Sequence, residues 1–272
     1  MHRVFASIGA FIGRANGRDY RLIKDIAPKI RCDGFEMMFN SDWYQKTDRL
    51  TGFLNDIGVD FPTFHVDKKI GELLAMEDFQ EAYRLFGINC DIASKIGSHI
   101  LILHLWNGRI SDSNIKANFS AYPELEKAAA DRGLILTSEN VVASHNTPLA
   151  LLNKLIETCP DALFTYDTKM ADFDNENVIA FDGRHSWLWD RVKHVHLNDR
   201  LGPYHDWNSI RALHIGRGQI DFDFVFSGLK SIGYSGDFTI ESTCLSEDGT
   251  IRLDDMNSSI NKLREYIKSL ES

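Results

Sequence analysis

The stretch KHVHLND, residues 193–199, reads as a short apolar strand that carries two histidines and ends in polar residues. Because side chains alternate between the two faces of a strand, His194 and His196 project from the same face. A strand that only needs burial has apolar residues at such positions, so the paired imidazoles and the following Asn-Asp indicate a site. One surface histidine and one hydrogen-bonded core histidine would explain the pair equally well. The other strand ends of the chain decide between these interpretations.

Eight apolar strand candidates alternate with helical segments along the 272 residues. The predicted strands lie at 4–8, 35–39, 61–65, 100–104, 134–139, 163–167, 193–199 and 237–241. Helical spacing of apolar residues predicts helices over 19–30, 41–56, 68–96 (in two pieces), 222–232 and 253–270. It also predicts the end of a helix at 121–131 and one more helix beginning at Thr147-Pro148. This alternation predicts parallel strands joined by helices.

Seven of the eight predicted strands carry a Glu, His or Asp that we take as the strand end, and these positions recur at intervals of 28 to 45 residues. The seven residues are Glu36, His65, His104, Glu139, Asp167, His196 and Glu241. One βα unit takes roughly 30 residues or more, so we expect a single (β/α)8 TIM barrel over residues 1–272. A doubly wound open sheet has the same alternation, but it would not bring seven strand ends to one point.

Composition limits the classes of partner. The formal net charge is −9, which argues against a general affinity for nucleic acid or for anionic membrane surfaces. The four cysteines are scattered without CxxC spacing, no apolar run reaches about 18 residues, and glycines interrupt the apolar start at 4–12. We therefore expect a cytoplasmic protein with free thiols. A homo-oligomer stays an alternative to a monomer.

In a (β/α)8 barrel the carboxyl ends of the strands meet on one face, and that face carries the active site. Neutral imidazole and carboxylate oxygen are ligands for a divalent metal. The seven strand ends offer only these groups, with no Lys, Gln or Ser among them. The sequence thus predicts a metal site at the carboxyl ends of the strands.

In their order and spacing, several short motifs resemble the xylose-isomerase-like TIM-barrel superfamily, which includes sugar isomerases and epimerases and the metal-dependent AP endonucleases. The motifs are Phe64-His65, Leu103-His104, Ser138-Glu139-Asn140, Tyr166-Asp167-Thr168, residues 194–199, Gly216–Asp221 and Ile240-Glu241. The resemblance implies that one divalent cation binds to Glu139, Asp167, His196 and Glu241. It also implies that His65 and His104, with Glu139 as a bridge, hold a second metal or contact the substrate.

The strand-six motif departs from the pattern Asp-Thr-x-His of many members, because Met170 stands where they have histidine. Together with the acidic net charge, this departure argues against a trinuclear endonuclease site. The resemblance implies a carbohydrate isomerase or epimerase. In that mechanism Mn, Mg, Co or Zn stabilises an enediolate, and Glu139 and Glu241 act as an acid-base pair. An AP-endonuclease-like phosphodiesterase and a non-catalytic sugar-binding barrel stay as alternatives.

Four further residues are candidates for substrate binding, and each has a structural alternative. Glu36 can hold a sugar hydroxyl or form an ion pair, and Trp106 can stack on a sugar ring or pack a loop. Arg217, between two glycines, can meet a phosphate or remain a solvated turn residue. His194 lies one pleat deeper than His196 and can also support that residue.

Overall fold

The computed structural model describes residues 2–108 and 112–271, and its eight strands form one closed barrel with strand order β1 to β8. The strands are β1 Val4–Ser7, β2 Gly34–Met38, β3 Thr63–His65, β4 Ile100–Leu103, β5 Ile135–Glu139, β6 Leu163–Asp167, β7 Val192–His196 and β8 Asp237–Ile240. The first strand pairs with the last in parallel. The predicted (β/α)8 barrel is therefore confirmed, and the open doubly wound sheet, which leaves two edge strands unpaired, is wrong.

Helical segments separate the strands, as the periodicity predicts. The helices are α1 Ile23–Ile26, α2 Thr47–Asp56, α3 Lys69–Ala75, α4 Phe79–Lys95, α5 Ile115–Ala130, α6 Pro148–Thr158, α7 Thr168–Phe173, α8 Asn177–Ala180, α9 Ser186–Trp189, α10 Phe222–Ser231 and α11 Leu253–Glu271. The predicted start at Thr147-Pro148 is confirmed, because the Thr147 side chain accepts a hydrogen bond from the Ala150 N–H and Pro148 is the first helical residue.

Two predicted helices differ from the structure. The segment 19–30 is not one helix, because 3₁₀ turns at Tyr20–Leu22 and Ala27–Lys29 flank α1, and Pro28 in the second turn lacks the N–H of a continuing helix. The segment 41–56 begins with a 3₁₀ helix at Ser41–Lys46, and Asn40 rather than Ser41 provides the side-chain cap. The first difference therefore lies at both ends of α1, and the second at the start of α2.

Two compact units can be distinguished in the fold, and each has its own core. The terminal unit comprises Met1–Glu36 and Tyr166–Ser272, and the central unit comprises Met37–Thr165. In the terminal unit, fully buried apolar side chains come from β1, β7, β8 and α11, namely Phe5, Val195, Phe238, Ile260 and Leu263. In the central unit they come from β3, β4, α4 and α5, namely Phe64, Leu101, Phe86, Tyr122 and Leu125. Nearly every residue of these strands is buried, as expected of parallel strands covered by helices.

Asp199 fixes the chain just after β7. Its carboxylate accepts hydrogen bonds from the backbone N–H groups of Gly216 (3.0 Å), Gly218 (2.7 Å) and Ile220 (3.1 Å). A Cβ atom at Gly218 would lie 2.3 Å from the Arg200 carbonyl oxygen, so only glycine allows this close approach. The Asp199 carboxylate therefore has a structural role in holding the Gly216–Asp221 turn.

Within residues 2–108 and 112–271, no helix is long and apolar enough to cross a membrane.

Candidate metal and active site

The central unit brings three of the predicted site residues together at the ends of β3, β4 and β5. His65 Nε2 lies 3.3 Å from Glu139 Oε2, and His104 Nε2 lies 2.6 Å from the same oxygen. His65 and Glu139 are fully buried, and His104 is 3% exposed. Two imidazoles and one carboxylate thus share a buried cluster whose ligand atoms lie within 4.8 Å of one another.

The hydrogen bonds of His65 determine which ring nitrogen faces this cluster. His65 Nδ1 lies 3.0 Å from the Val66 carbonyl oxygen, which can only accept, so Nδ1 carries the proton. In the neutral ring, Nε2 then presents a lone pair to the Glu139 carboxylate. A lone pair and a carboxylate repel at this distance unless a proton or a cation lies between them. Metal-binding histidines commonly have this arrangement, with the second nitrogen donating to a carbonyl.

Burial favours the neutral form of His104. Burial lowers its pKa to about 4, an effect that outweighs the opposing attraction of the Glu139 carboxylate. Its Nδ1 atom is buried and has no hydrogen-bond partner among the residues that the structure describes. A neutral imidazole is the form that binds metal ions.

The terminal unit holds a second cluster around His196 at the end of β7. His196 Nε2 lies 3.0 Å from Glu36 Oε2, and Nδ1 lies 3.4 Å from Glu241 Oε2. When a neutral ring donates Nε2–H to Glu36, the Nδ1 lone pair faces Glu241. The same conflict arises as at His65, and a divalent cation held by Nδ1 and Glu241 would resolve it. The donor set therefore fits a metal ion.

Glu36 lies in the middle of β2 (Gly34–Met38), so its assignment as a strand end is wrong. Its side chain is fully buried and reaches His196, 160 residues away in sequence. Contact between a carboxylate and the second nitrogen of a ligating histidine fixes the tautomer and raises the basicity of the ligand. The position of Glu36 thus favours a role in orienting His196, while its role in substrate binding stays a prediction.

Asp167, at the end of β6, has two functions in the structure. Its Oδ1 accepts hydrogen bonds from the backbone N–H groups of Lys169 (2.6 Å) and Met170 (3.0 Å), which caps α7. Oδ2 faces Asn198 Nδ2 at 2.9 Å and the Lys169 ammonium at 3.6 Å. The cap holds the carboxylate in one orientation, and Oδ2 points toward the Asn198 side of the site.

Asn198 joins two of the candidate ligands, although the sequence did not single it out as a site residue. Its Nδ2 donates to Asp167 Oδ2 and to Glu241 Oε2 (3.2 Å), and its Oδ1 accepts from the Glu241 backbone N–H (3.0 Å). The amide separates two carboxylates that would otherwise repel each other. Its position directly after His196-Leu197 was the available signal, since the residues that follow a barrel strand reach the active-site face.

Substitution of Asn198 tests this positioning role. In Asn198→Ala, the buried Asp167 carboxylate and the partly buried Glu241 carboxylate lose a donor, and we expect the unfolding free energy to fall by about 1–3 kcal/mol. In Asn198→Asp, a third carboxylate adds repulsion, so the metal-free protein should lose more stability than the alanine variant. Urea unfolding of both variants in chelator measures the effect, and Asn153→Asp, at an exposed position of α6, is the matched control. Equal stability of N198A, N198D and wild type would contradict the role.

The remaining candidate residues make contacts of their own. His194 is fully buried, and its Nε2 lies 2.7 Å from Thr239 Oγ1. Trp106 is fully buried and donates from Nε1 to the Val141 carbonyl oxygen at 2.6 Å. Arg217 has a half-exposed side chain that pairs with Asp255 at 2.5 Å, and this ion pair lowers the Asp255 pKa. The roles of these three in substrate binding stay predictions.

Comparison with known proteins places this barrel in a family. The sequence profile of the xylose isomerase-like TIM barrel matches residues 25–269. An uncharacterized protein of Methanocaldococcus jannaschii is 29% identical over 161 residues, which cover 55% of this chain and 53% of the relative. The chain thus spans about half the length of this curated relative.

Several solved structures are similar over almost the whole chain. A D-tagatose 3-epimerase-like protein has a TM-score of 0.73 and 21% identity, covering 99% of this chain and 98% of that chain. D-Allulose 3-epimerase from Methylomonas sp., solved with D-allulose, has a TM-score of 0.70 and 16% identity, covering 97% of both chains. The IolI protein, solved with a zinc atom, has a TM-score of 0.72 and 13% identity, covering 98% of this chain and 99% of that chain. At these identities the likeness establishes the fold alone.

Proposed function

Because this chain belongs to the xylose isomerase-like TIM barrel family, we propose that it is a divalent-metal-dependent isomerase or epimerase of carbohydrates. Two observations support the proposal. Similar structures include a D-tagatose 3-epimerase-like protein and a D-allulose 3-epimerase with its sugar. The clusters around His65 and His196 also contain the imidazole and carboxylate donors that such an enzyme needs.

The proposed ligands of the catalytic cation are Glu139, Asp167, His196 and Glu241. In a closed barrel of parallel strands all carboxyl ends lie on one face. Glu139 is in register with Thr165, two residues before Asp167 on β6. His196 is in register with Thr239, two residues before Glu241. Residues two apart share a strand face, so each register places two of these side chains on one face of its strand pair. Family membership is our ground for proposing all four as a single ligand set, with His65 and His104 as a second metal site or as substrate ligands.

Mixed nitrogen and oxygen donors suit Mn, Mg, Co or Zn. The IolI protein, which is similar in fold, was solved with zinc. A bound cation supplies Lewis acidity that polarises the sugar carbonyl and acidifies the neighbouring C–H. The ion is therefore part of the proposed function, and its identity among these four stays a prediction.

In the proposed reaction, Glu139 and Glu241 transfer protons to and from carbon. One of the two carboxylates, Glu139 or Glu241, takes the proton from the carbon next to the carbonyl, and the electron pair of that C–H bond shifts toward the carbonyl oxygen. For epimerisation the other carboxylate delivers a proton to the opposite face of the same carbon. For isomerisation a proton is delivered instead to the former carbonyl carbon, and the hydroxyl proton of the first carbon passes to the former carbonyl oxygen. Asn198 holds Glu241 by contacts to its side chain and its backbone N–H.

One observation carries the proposal. In His65 and in His196, one ring nitrogen is hydrogen-bonded to a partner and the other faces a carboxylate. The test is incubation of the protein, loaded in turn with Mn, Mg, Co and Zn, with D-tagatose or D-allulose in D₂O. We expect conversion of the sugar with deuterium entering at the carbon next to the carbonyl, detected by NMR. Absence of both conversion and exchange with every metal would overturn the proposal. Incision of abasic DNA in its place would favour a phosphodiesterase.

A further inference from the structure

Ser7, the last residue of β1, has a buried hydroxyl that the fold does not use. Its side chain is fully buried, and Oγ has no hydrogen-bond partner among the residues that the structure describes. Ser7 also occupies the N-cap position of the 3₁₀ helix Ile8–Ala10, yet its side chain makes no cap hydrogen bond. Since a buried unpaired hydroxyl costs free energy, a partner from outside the chain is the straightforward explanation.

The side chain of Ser7 projects into the barrel. Phe5, two residues earlier on the same strand face, stacks on the His194 ring at 6.0 Å between centroids. Phe5 is also in register with Thr239, whose Oγ1 contacts His194 Nε2. His194 shares its face with His196. These contacts place Phe5 and Ser7 on the interior face.

The register of β1 also sets the neighbours of Ser7. On one side, Ser7 pairs with Glu36 of β2. On the other side, Ala6 pairs with Ile240, so continuing the register by one residue sets Ser7 opposite Glu241. The Ser7 hydroxyl thus lies between two carboxylates. One is Glu36, which contacts His196 Nε2, and the other is Glu241, the proposed acid or base.

We propose that Ser7 is a substrate-binding residue whose Oγ hydrogen-bonds a hydroxyl group of the sugar beside Glu241. This inference rests on the proposed function. A serine hydroxyl donates and accepts at once, which matches a sugar hydroxyl. It brings no charge to a neighbourhood that already contains two carboxylates. In the absence of sugar, water can take the same place, and the sugar displaces it on binding.

The test compares Ser7→Ala with Ser138→Ala. Ser138 is also fully buried with no partner for its Oγ in the described chain, but it neighbours Glu139 on β5 and so lies on the opposite face. Isothermal titration of D-tagatose and D-allulose into the Mn²⁺-saturated proteins gives the dissociation constants. For S7A we expect the tighter of the two sugars to bind about 3- to 10-fold more weakly, as for loss of one neutral hydrogen bond. For S138A we expect no change.

A separate titration of Mn²⁺ distinguishes binding of sugar from support of the site. We expect S7A to bind Mn²⁺ as wild type does, and its turnover to show a raised KM with little change in kcat. Equal sugar affinity of S7A and wild type would overturn the role of Ser7, and so would a loss of Mn²⁺ affinity in S7A. If neither sugar binds the Mn²⁺-saturated wild type, the proposed function fails and this inference fails with it.

Discussion

Replacing Glu241 with glutamine should lower kcat by about 10²- to 10⁴-fold in protein saturated with metal. Glutamine has nearly the same size and keeps an oxygen acceptor, but it cannot take up or release a proton as a carboxylate does. The Glu241 side chain is only 10% exposed, and its Oε2 accepts from Asn198 Nδ2 at 3.2 Å. Because the amide oxygen can accept the same hydrogen bond, the effect on kcat reports the lost acid or base and not a collapsed loop.

The measurement needs full metal occupancy, because Glu241 is also a proposed ligand. Titration calorimetry sets the metal concentration at which the variant is saturated, and kcat is then measured with D-tagatose or D-allulose. Glu247→Gln makes the same chemical change at an exposed position after β8 and should leave kcat unchanged. A kcat for E241Q within about threefold of the wild-type value at full occupancy would contradict the acid-base role.

Exchange in D₂O separates the two carboxylates. With Glu241 unable to carry a proton, Glu139 alone can remove the substrate proton and return deuterium to the same face. E241Q should therefore exchange one sugar epimer with solvent while producing little of the other. Glu139→Gln should show the complementary exchange, beginning from the opposite epimer. Loss of all exchange in both variants would indicate that the carboxylates act only as ligands.

Much of the fold follows from local signals in the sequence. The strand at Ile100–Leu103 is a continuous apolar run bounded by a preceding helix that ends near Gly97, and the structure has this strand with Gly97 at φ +80°. Thr147-Pro148 marks a helix start by its chemistry alone. Eight such units in succession allow few arrangements, because parallel strands joined by helices close into a barrel or form an open sheet. The seven polar positions then favoured the barrel.

The site is less visible in the sequence, because its contacts join residues far apart in the chain. The hydrogen bond between Glu36 and His196 spans 160 residues, and no local pattern shows that Glu36 faces a histidine nitrogen rather than a sugar. The unused hydroxyl of Ser7 depends on the register of β1 with β2 and β8. The short helices α7, α8 and α9 have four to six residues each, too few for a periodic pattern.

Removing the metal should abolish turnover and lower the melting temperature. Glu36, Glu139 and Asp167 are fully buried, and without a cation their charges rely on hydrogen bonds and, at Asp167, on the Lys169 ammonium 3.6 Å away. An ion present at about 100 times its Kd adds roughly 2.7 kcal/mol to the unfolding free energy. For a domain of this size that corresponds to a shift of about 5–10 °C. Calorimetric melting and the isomerase assay, each with EDTA and after re-addition of Mn²⁺, measure both effects.

Two variants show whether the shift arises at the proposed site. His196→Gln removes the imidazole between Glu36 and Glu241, so its melting temperature should respond little to EDTA or to Mn²⁺. His205→Gln changes a histidine whose side chain is 68% exposed and should keep the full response. Full turnover after complete removal of the metal would contradict the proposed mechanism. If wild type retains no ion after incubation with Mn, Mg, Co or Zn but binds D-tagatose or D-allulose, a non-catalytic sugar-binding barrel becomes the better explanation. His65 and His196 each direct one ring nitrogen toward a carboxylate. Without a cation, a proton would have to lie between that nitrogen and the carboxylate.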